Sequence, residues 1–141
     1  MKTFLTPFAA CLVAGLAILP TSVKSQQIFD NWNTDACGFT DTASFALSGP
    51  IHLRAIELWY HWRPNEGAVG FELLHDGRMV KRGQLTRTTC DPYQEAWCAA
   101  RAHVGVDLPP GMVTVRTEHG RLCQNGGSGG VGFIRAFGVG Q

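Results

Sequence analysis

Apolar and polar residues alternate with a period of two along much of this chain, and no sustained 3.6-residue period appears. The clearest stretch is Leu53 to Trp62. Ile56, Leu58, Tyr60 and Trp62 share one face there, and Glu57, Trp59 and His61 share the other. Trp97 to Val106 repeats the pattern, with Cys98, Ala100, Ala102 and Val104 opposite Trp97, Arg101 and His103. Shorter runs at Ser44–Leu47, Val69–Leu74, Met79–Leu85, Met112–Thr117 and Val131–Phe137 also read as strands. Between them stand Gly49-Pro50, Pro64-Asn65-Glu66-Gly67, Asp76-Gly77 and Leu108-Pro109-Pro110-Gly111. Asp-Gly between apolar runs signals a type I′ hairpin, whose two central residues need positive φ. Thr86–Glu95 and Arg121–Gly130 read as loops, with room for one short helix at Pro92–Ala96. About seven strands follow, and the fold class expected is all-β: an antiparallel two-sheet sandwich of Greek-key or jelly-roll type.

The first twenty-five residues do not fit that pattern. Lys2 is followed by an apolar run from Phe8 to Leu19, then Pro20, then Val23-Lys24-Ser25 with small residues where a signal peptidase reads. This is the pattern of a secretory signal cut before Gln26. Residues 26–141 are then a single exported domain, periplasmic or secreted, in a compartment that permits disulfides. The run is shorter than the roughly 20 residues that span a bilayer, and no second run exists, so no membrane insertion is expected. Lys2 and Lys24 leave with the signal, so the formal charge becomes 10 − 11 = −1. Without a basic stripe, nucleic acid is excluded as a partner class.

Cys37, Cys90, Cys98 and Cys123 remain after Cys11 is removed. Their spacing lacks the C-x₂-C pairs of zinc sites, so disulfides are expected. Cys90–Cys98 would tie the ends of one loop, and Cys37–Cys123 would fasten the N-terminal segment to a late loop.

Leu108-Pro109-Pro110-Gly111-Met112-Val113-Thr114-Val115, and then Asn125, Ser128, Gly130, Gly132, Phe133 and Gly138, resemble two motifs of small exported bacterial β-sandwich modules. These motifs are an L-P-x-G-x-[YV]-T-V strand and a C-terminal N-x-x-S-x-G-x-G-F. Tyr60-His61-Trp62 resembles the modules' central strand. The resemblance covers residues 44–138. It implies the fold and export, and no activity, because none is agreed for those modules. Leu122-Cys123 departs from the Trp-Ser pair usual there. The glycine-rich motif reads as a turn, with Asn125 and Ser128 bonding to local backbone. An anion nest is the rival, but no Lys-Ser or Lys-Thr follows the glycines as a phosphate loop requires.

Aromatic side chains are the best functional lead. Trp32, Trp59, Tyr60, Trp62, Tyr93 and Trp97 are many for so small a domain. Sugar rings stack apolar C–H faces on indoles while their hydroxyls need polar neighbours. The candidate ligand-binding residues are Trp59, Trp62 and Trp97 with Glu57, His61 and Arg101. The expected function is an exported, non-catalytic module that binds carbohydrate or cell-envelope glycan. The alternatives are a module binding an extracytoplasmic protein, such as an inhibitor of a secreted enzyme or a structural envelope component, and a small glycoside hydrolase. Hydrolysis would need two facing carboxylates, and Glu57 and Glu72 could supply them from adjacent strands. No cofactor or metal is implied. His61 and His103 could meet across strands but do not form a ligand motif, and Asn31, Asn33 and Asp35 lack the Gly and Glu that complete a calcium loop.

Overall fold

A computed structural model describes residues 14–20 and 24–141. Ten strands follow one another: β1 (Gln26–Asp30), β2 (Gly38–Thr40), β3 (Thr42–Leu47), β4 (Ile51–His61), β5 (Ala68–His75), β6 (Arg78–Cys90), β7 (Trp97–Leu108), β8 (Gly111–Thr117), β9 (Leu122–Gln124) and β10 (Ile134–Gly140). A 3₁₀ turn, Gly126–Ser128, precedes β10. The leader read over residues 1–25 falls largely outside the described residues. Of its described part, Leu16, Ile18 and Leu19 are exposed and belong to no strand. No helix among the described residues is long and apolar enough to cross a membrane.

The alternation in β4 does what its pattern dictates. Ile56, Leu58 and Tyr60, with Trp62 just beyond the strand, are buried, and Glu57, Trp59 and His61 lie on the opposite face. In β7, Cys98, Ala100, Ala102 and Val104 point inward. Asp76 and Gly77 take φ of 47° and 79° and link His75 to its partner Arg78, so the β5–β6 hairpin closes as the Asp-Gly pair requires. Both expected disulfides, Cys37–Cys123 and Cys90–Cys98, are present.

Two expectations are corrected. The first concerns architecture. The strands form one antiparallel sheet in the order β1-β10-β4-β7-β6-β5-β8-β3, with β9 against β4 and β2 against β9. The order β8-β5-β6-β7 within it is that of a Greek key. Among the described residues there are ten strands instead of seven, in one sheet instead of two. The twist of so many paired strands curls the sheet nearly shut, and its apolar faces then meet each other inside. Its two ends come together without a full ladder. Phe29 of β1 stacks on Phe45 of β3 with ring centroids 5.2 Å apart. Gly132 N–H donates to Thr42 O at 2.9 Å. Asn31 Nδ2 donates to Gly132 O, and Asn31 Oδ1 accepts from Ile134 N. The asparagine that opens the calcium-like triplet therefore ties the end of β1 to the start of β10, beside the seam.

The second correction is local. Thr86–Cys90 continues β6, and Leu122–Gln124 is a strand within the supposed loop. Pro92–Ala96 forms a turn and no helix, because Asp91 Oδ1 accepts from Tyr93 N and Gln94 N and bends the chain back on Trp97.

The core runs through the curled sheet. Trp62, Tyr60 and Phe133 are its largest fully buried side chains, and burying a large apolar group of this kind stabilises by roughly 1.5–3 kcal/mol. Trp62 Nε1 donates to Cys98 O at 3.2 Å, so its one polar atom is satisfied inside. The Tyr60 hydroxyl accepts from Arg121 Nη2 at 2.7 Å, and the same nitrogen pairs with Glu66 at 2.6 Å. Burial raises the Tyr60 pKa above its ordinary value, and this outweighs the lowering effect of the Arg121 bond.

Candidate functional site

The outward faces of β10, β4 and β7 carry the chemistry. Cross-strand register places Glu57 between Arg101 on β7 and Arg135 on β10. Its two oxygens meet Arg101 Nη1 at 3.3 Å and Arg135 Nη1 at 3.6 Å. Arg135 also pairs with Asp30 at 3.1 Å, and its guanidinium lies 3.8 Å from the centre of the Trp32 ring. Arg101 in turn lies over Phe137, 4.8 Å from the ring centre. Glu57 and Arg101, read from sequence as ligand contacts, are thus consumed in a ladder of ion pairs and cation–π contacts. That ladder fixes Trp32 from behind.

Trp32 leans against Trp59, with ring centroids 5.3 Å apart at 54°. Trp59 stands opposite Ala99 on β7, whose small side chain leaves the indole room. Trp97 stacks on Phe39 at 5.7 Å and takes His61 edge-on at 5.0 Å. His61 is therefore a wedge between aromatic rings. It does not meet His103, which is in register with Ala55 and lies well away along β4.

Trp32, Trp59 and Trp97 open onto one cleft of about 530 Å³, within the size range of small-ligand sites. Residues 33–37 form one wall, Asp91 and Gln94 form the other, and Phe133 lies at the base. Each wall is pinned by a disulfide. Cys37–Cys123 holds the Asn33–Cys37 wall against β9, and Cys90–Cys98 closes the loop bearing Asp91 and Gln94. Asn33 and Asn125 clasp side chains across the first wall, and Asn125 Oδ1 also caps the 3₁₀ turn at Ser128 N. A Cβ on Gly127 would lie 2.8 Å from Asn33 Nδ2, so a larger residue there would displace the Asn33 amide from its clasp with Asn125. The glycine-rich motif serves as a turn that backs the cleft.

The six residues read as a ligand site separate accordingly. Trp59 and Trp97 line the cleft. Glu57, His61 and Arg101 lie on the same outer surface as structural supports. Trp62 is 1% exposed and cannot reach the cleft. Trp32, Asn33, Asp35, Asp91 and Gln94 join them in the lining. They sit in segments without strand periodicity, where the aromatic character of Trp32 and the alternating Asn31, Asn33 and Asp35, read there as an incomplete calcium loop, were the signals. Tyr93, 93% exposed, stands on the same loop as Asp91 and Gln94.

The carboxylate pair required for hydrolysis is not formed. Glu57 is on β4 and Glu72 on β5, with β7 and β6 between them. Glu72 pairs instead with Arg82 at 3.2 Å and Arg116 at 3.7 Å.

No protein-family model matches this sequence, and no curated protein matches it.

Proposed function

We propose that this chain is an exported binding module whose Trp32–Trp59–Trp97 cleft takes a carbohydrate. The carrying observation is the convergence of three indoles on one open cleft whose polar lining is two carboxylates, two side-chain amides and the Thr34 hydroxyl. Indole faces receive the C–H patches of a sugar ring, and Asn33, Asp35, Asp91 and Gln94 receive its hydroxyls. Trp32 Nε1 adds a buried donor with no partner among the described residues. The disulfides support the extracytoplasmic setting, since such bonds persist where the milieu is oxidising. A glycan array probed with the folded chain, then calorimetry on its hits, tests the proposal. Saccharide binding that Trp59→Ala abolishes supports it. An array without hits overturns it.

A protein partner is the second reading, favoured by one observation: Phe39 and Tyr93 are 56% and 93% exposed near the same cleft. Exposed aromatics of this kind serve as interface anchors. Capture of a defined periplasmic or secreted protein, lost in Tyr93→Ala but retained in Asn33→Ala, would favour it over the sugar.

A further inference from the structure

The charge on the cleft is of one sign. Asp35 and Asp91 are its two charged lining residues, and no Lys, Arg or His lines it among the described residues. The arginines on the neighbouring elements are already engaged, and Arg87, beside the loop that carries Asp91, is spent on Glu95 O and Cys98 Sγ. Arg135 is divided between Asp30, Glu57 and the Trp32 ring, and Arg101 between Glu57 and Phe137. The Asp35 carboxylate accepts no hydrogen bond among the described residues. Asp91 uses only Oδ1, on Tyr93 N and Gln94 N, which leaves Oδ2 free. The same cleft is lined by three indoles, whose faces carry the negative part of an aromatic quadrupole and attract cations. Trp32 already holds one guanidinium in this way on the side facing Arg135.

From this arrangement we infer that, within the saccharide reading on which it rests, the cleft selects sugars bearing a free amine over neutral or acidic ones. The ammonium of a 2-amino sugar sits between an indole face and Asp35 or Asp91, while the ring stacks on Trp59. Acidic sugars meet two uncompensated carboxylates and are rejected.

Three β-1,4-linked hexasaccharides isolate the contribution, because they differ only at C2: glucosamine, N-acetylglucosamine and glucose oligomers. Each is titrated into the disulfide-intact chain at slightly acidic pH and followed by calorimetry. The glucosamine hexamer should bind about tenfold more tightly than the other two, and its advantage should shrink in about 0.5 M salt. Asp35→Asn and Asp91→Asn should each weaken the glucosamine hexamer more than the glucose hexamer and so narrow that advantage, because Asn still accepts from a hydroxyl but no longer carries the charge. Asn retains the side-chain oxygen that caps the Asp91 turn, so both variants keep the fold. If the glucose or acetylated hexamer binds as tightly as the amine, or if neither variant narrows the difference, charge selection is refuted while sugar binding stands. If none of the three binds and the array is also blank, the saccharide reading falls with it.

Discussion

Asn33 and Asn125 exchange side-chain amide hydrogen bonds, Nδ2 to Oδ1 in both directions, at 3.0 and 2.7 Å. The pair joins residues 92 positions apart and couples the glycine-rich turn to the wall that carries Trp32. Turn and cleft are therefore one mechanical unit. Asn125→Ala removes the clasp and the cap on Ser128 together. With a cap worth about 1 kcal/mol and each of the two clasp hydrogen bonds about 0.5–1.5 kcal/mol, the variant should lose about 2–4 kcal/mol in urea unfolding. Its saccharide affinity should fall as the wall loosens, although Asn125 itself does not line the cleft.

The two tryptophans on opposite faces of the same strand region should separate stability from binding. Trp62→Ala empties a fully buried site and should cost about 3–5 kcal/mol. Trp59→Ala loses its contact with Trp32 and partial burial, and should cost about 1–2 kcal/mol while abolishing binding. Chemical denaturation read by circular dichroism, paired with calorimetry at a temperature where both variants are folded, distinguishes them.

The two disulfides should contribute unequally. Cys37–Cys123 spans 86 residues and Cys90–Cys98 spans 8. Loop entropy then assigns about 4–5 kcal/mol to the first and about 2–3 kcal/mol to the second. Paired Cys→Ser variants measured in urea should follow that order. Loss of Cys90–Cys98 should additionally weaken binding by freeing the loop that carries Asp91 and Gln94.

Alkaline unfolding should involve Tyr60. Its pKa in the fold lies above the ordinary 10.0 because burial penalises the phenolate. The unfolded chain therefore gives up the proton first. The stability associated with this group is whole below about pH 10 and is lost as pH rises through the raised value. Tyr60→Phe should flatten that alkaline limb. It should also lower stability at neutral pH, since Arg121 Nε and Nη2 lose their acceptor. Unfolding curves across the alkaline range, with phenolate absorbance as a second readout, check both.

Local geometry was legible in the residues. Alternation located β4 and β7 and their inward faces. Asp76-Gly77 located the hairpin, and cysteine spacing led to both bonds. Closure was not legible, because period two assigns a face to each strand but does not say whether the apolar faces belong to two sheets or to one curled sheet. That depends on long-range pairings such as Ile134 with Leu58 and Phe45 with Val113. β1, β2 and β9 escaped because they are short and their partners lie far along the chain. Strand order likewise decided that Glu57 and Glu72 stand apart. At the site, the outward face of Trp59 and Trp97 was readable. The approach of Trp32, Asp35 and Asp91 was not, since it is produced by two disulfides and one asparagine pair acting across the fold.

The chain has four tryptophans, hence four indole N–H resonances, and following these by ¹⁵N–¹H spectroscopy during titration with an array-selected saccharide tests the cleft directly. The signals of Trp32, Trp59 and Trp97 should shift together and saturate with one affinity while that of Trp62, sealed against Cys98 O, stays in place. A saccharide that binds while those three signals remain still would contradict the site, and a full set of glycans that moves none of them would contradict the function.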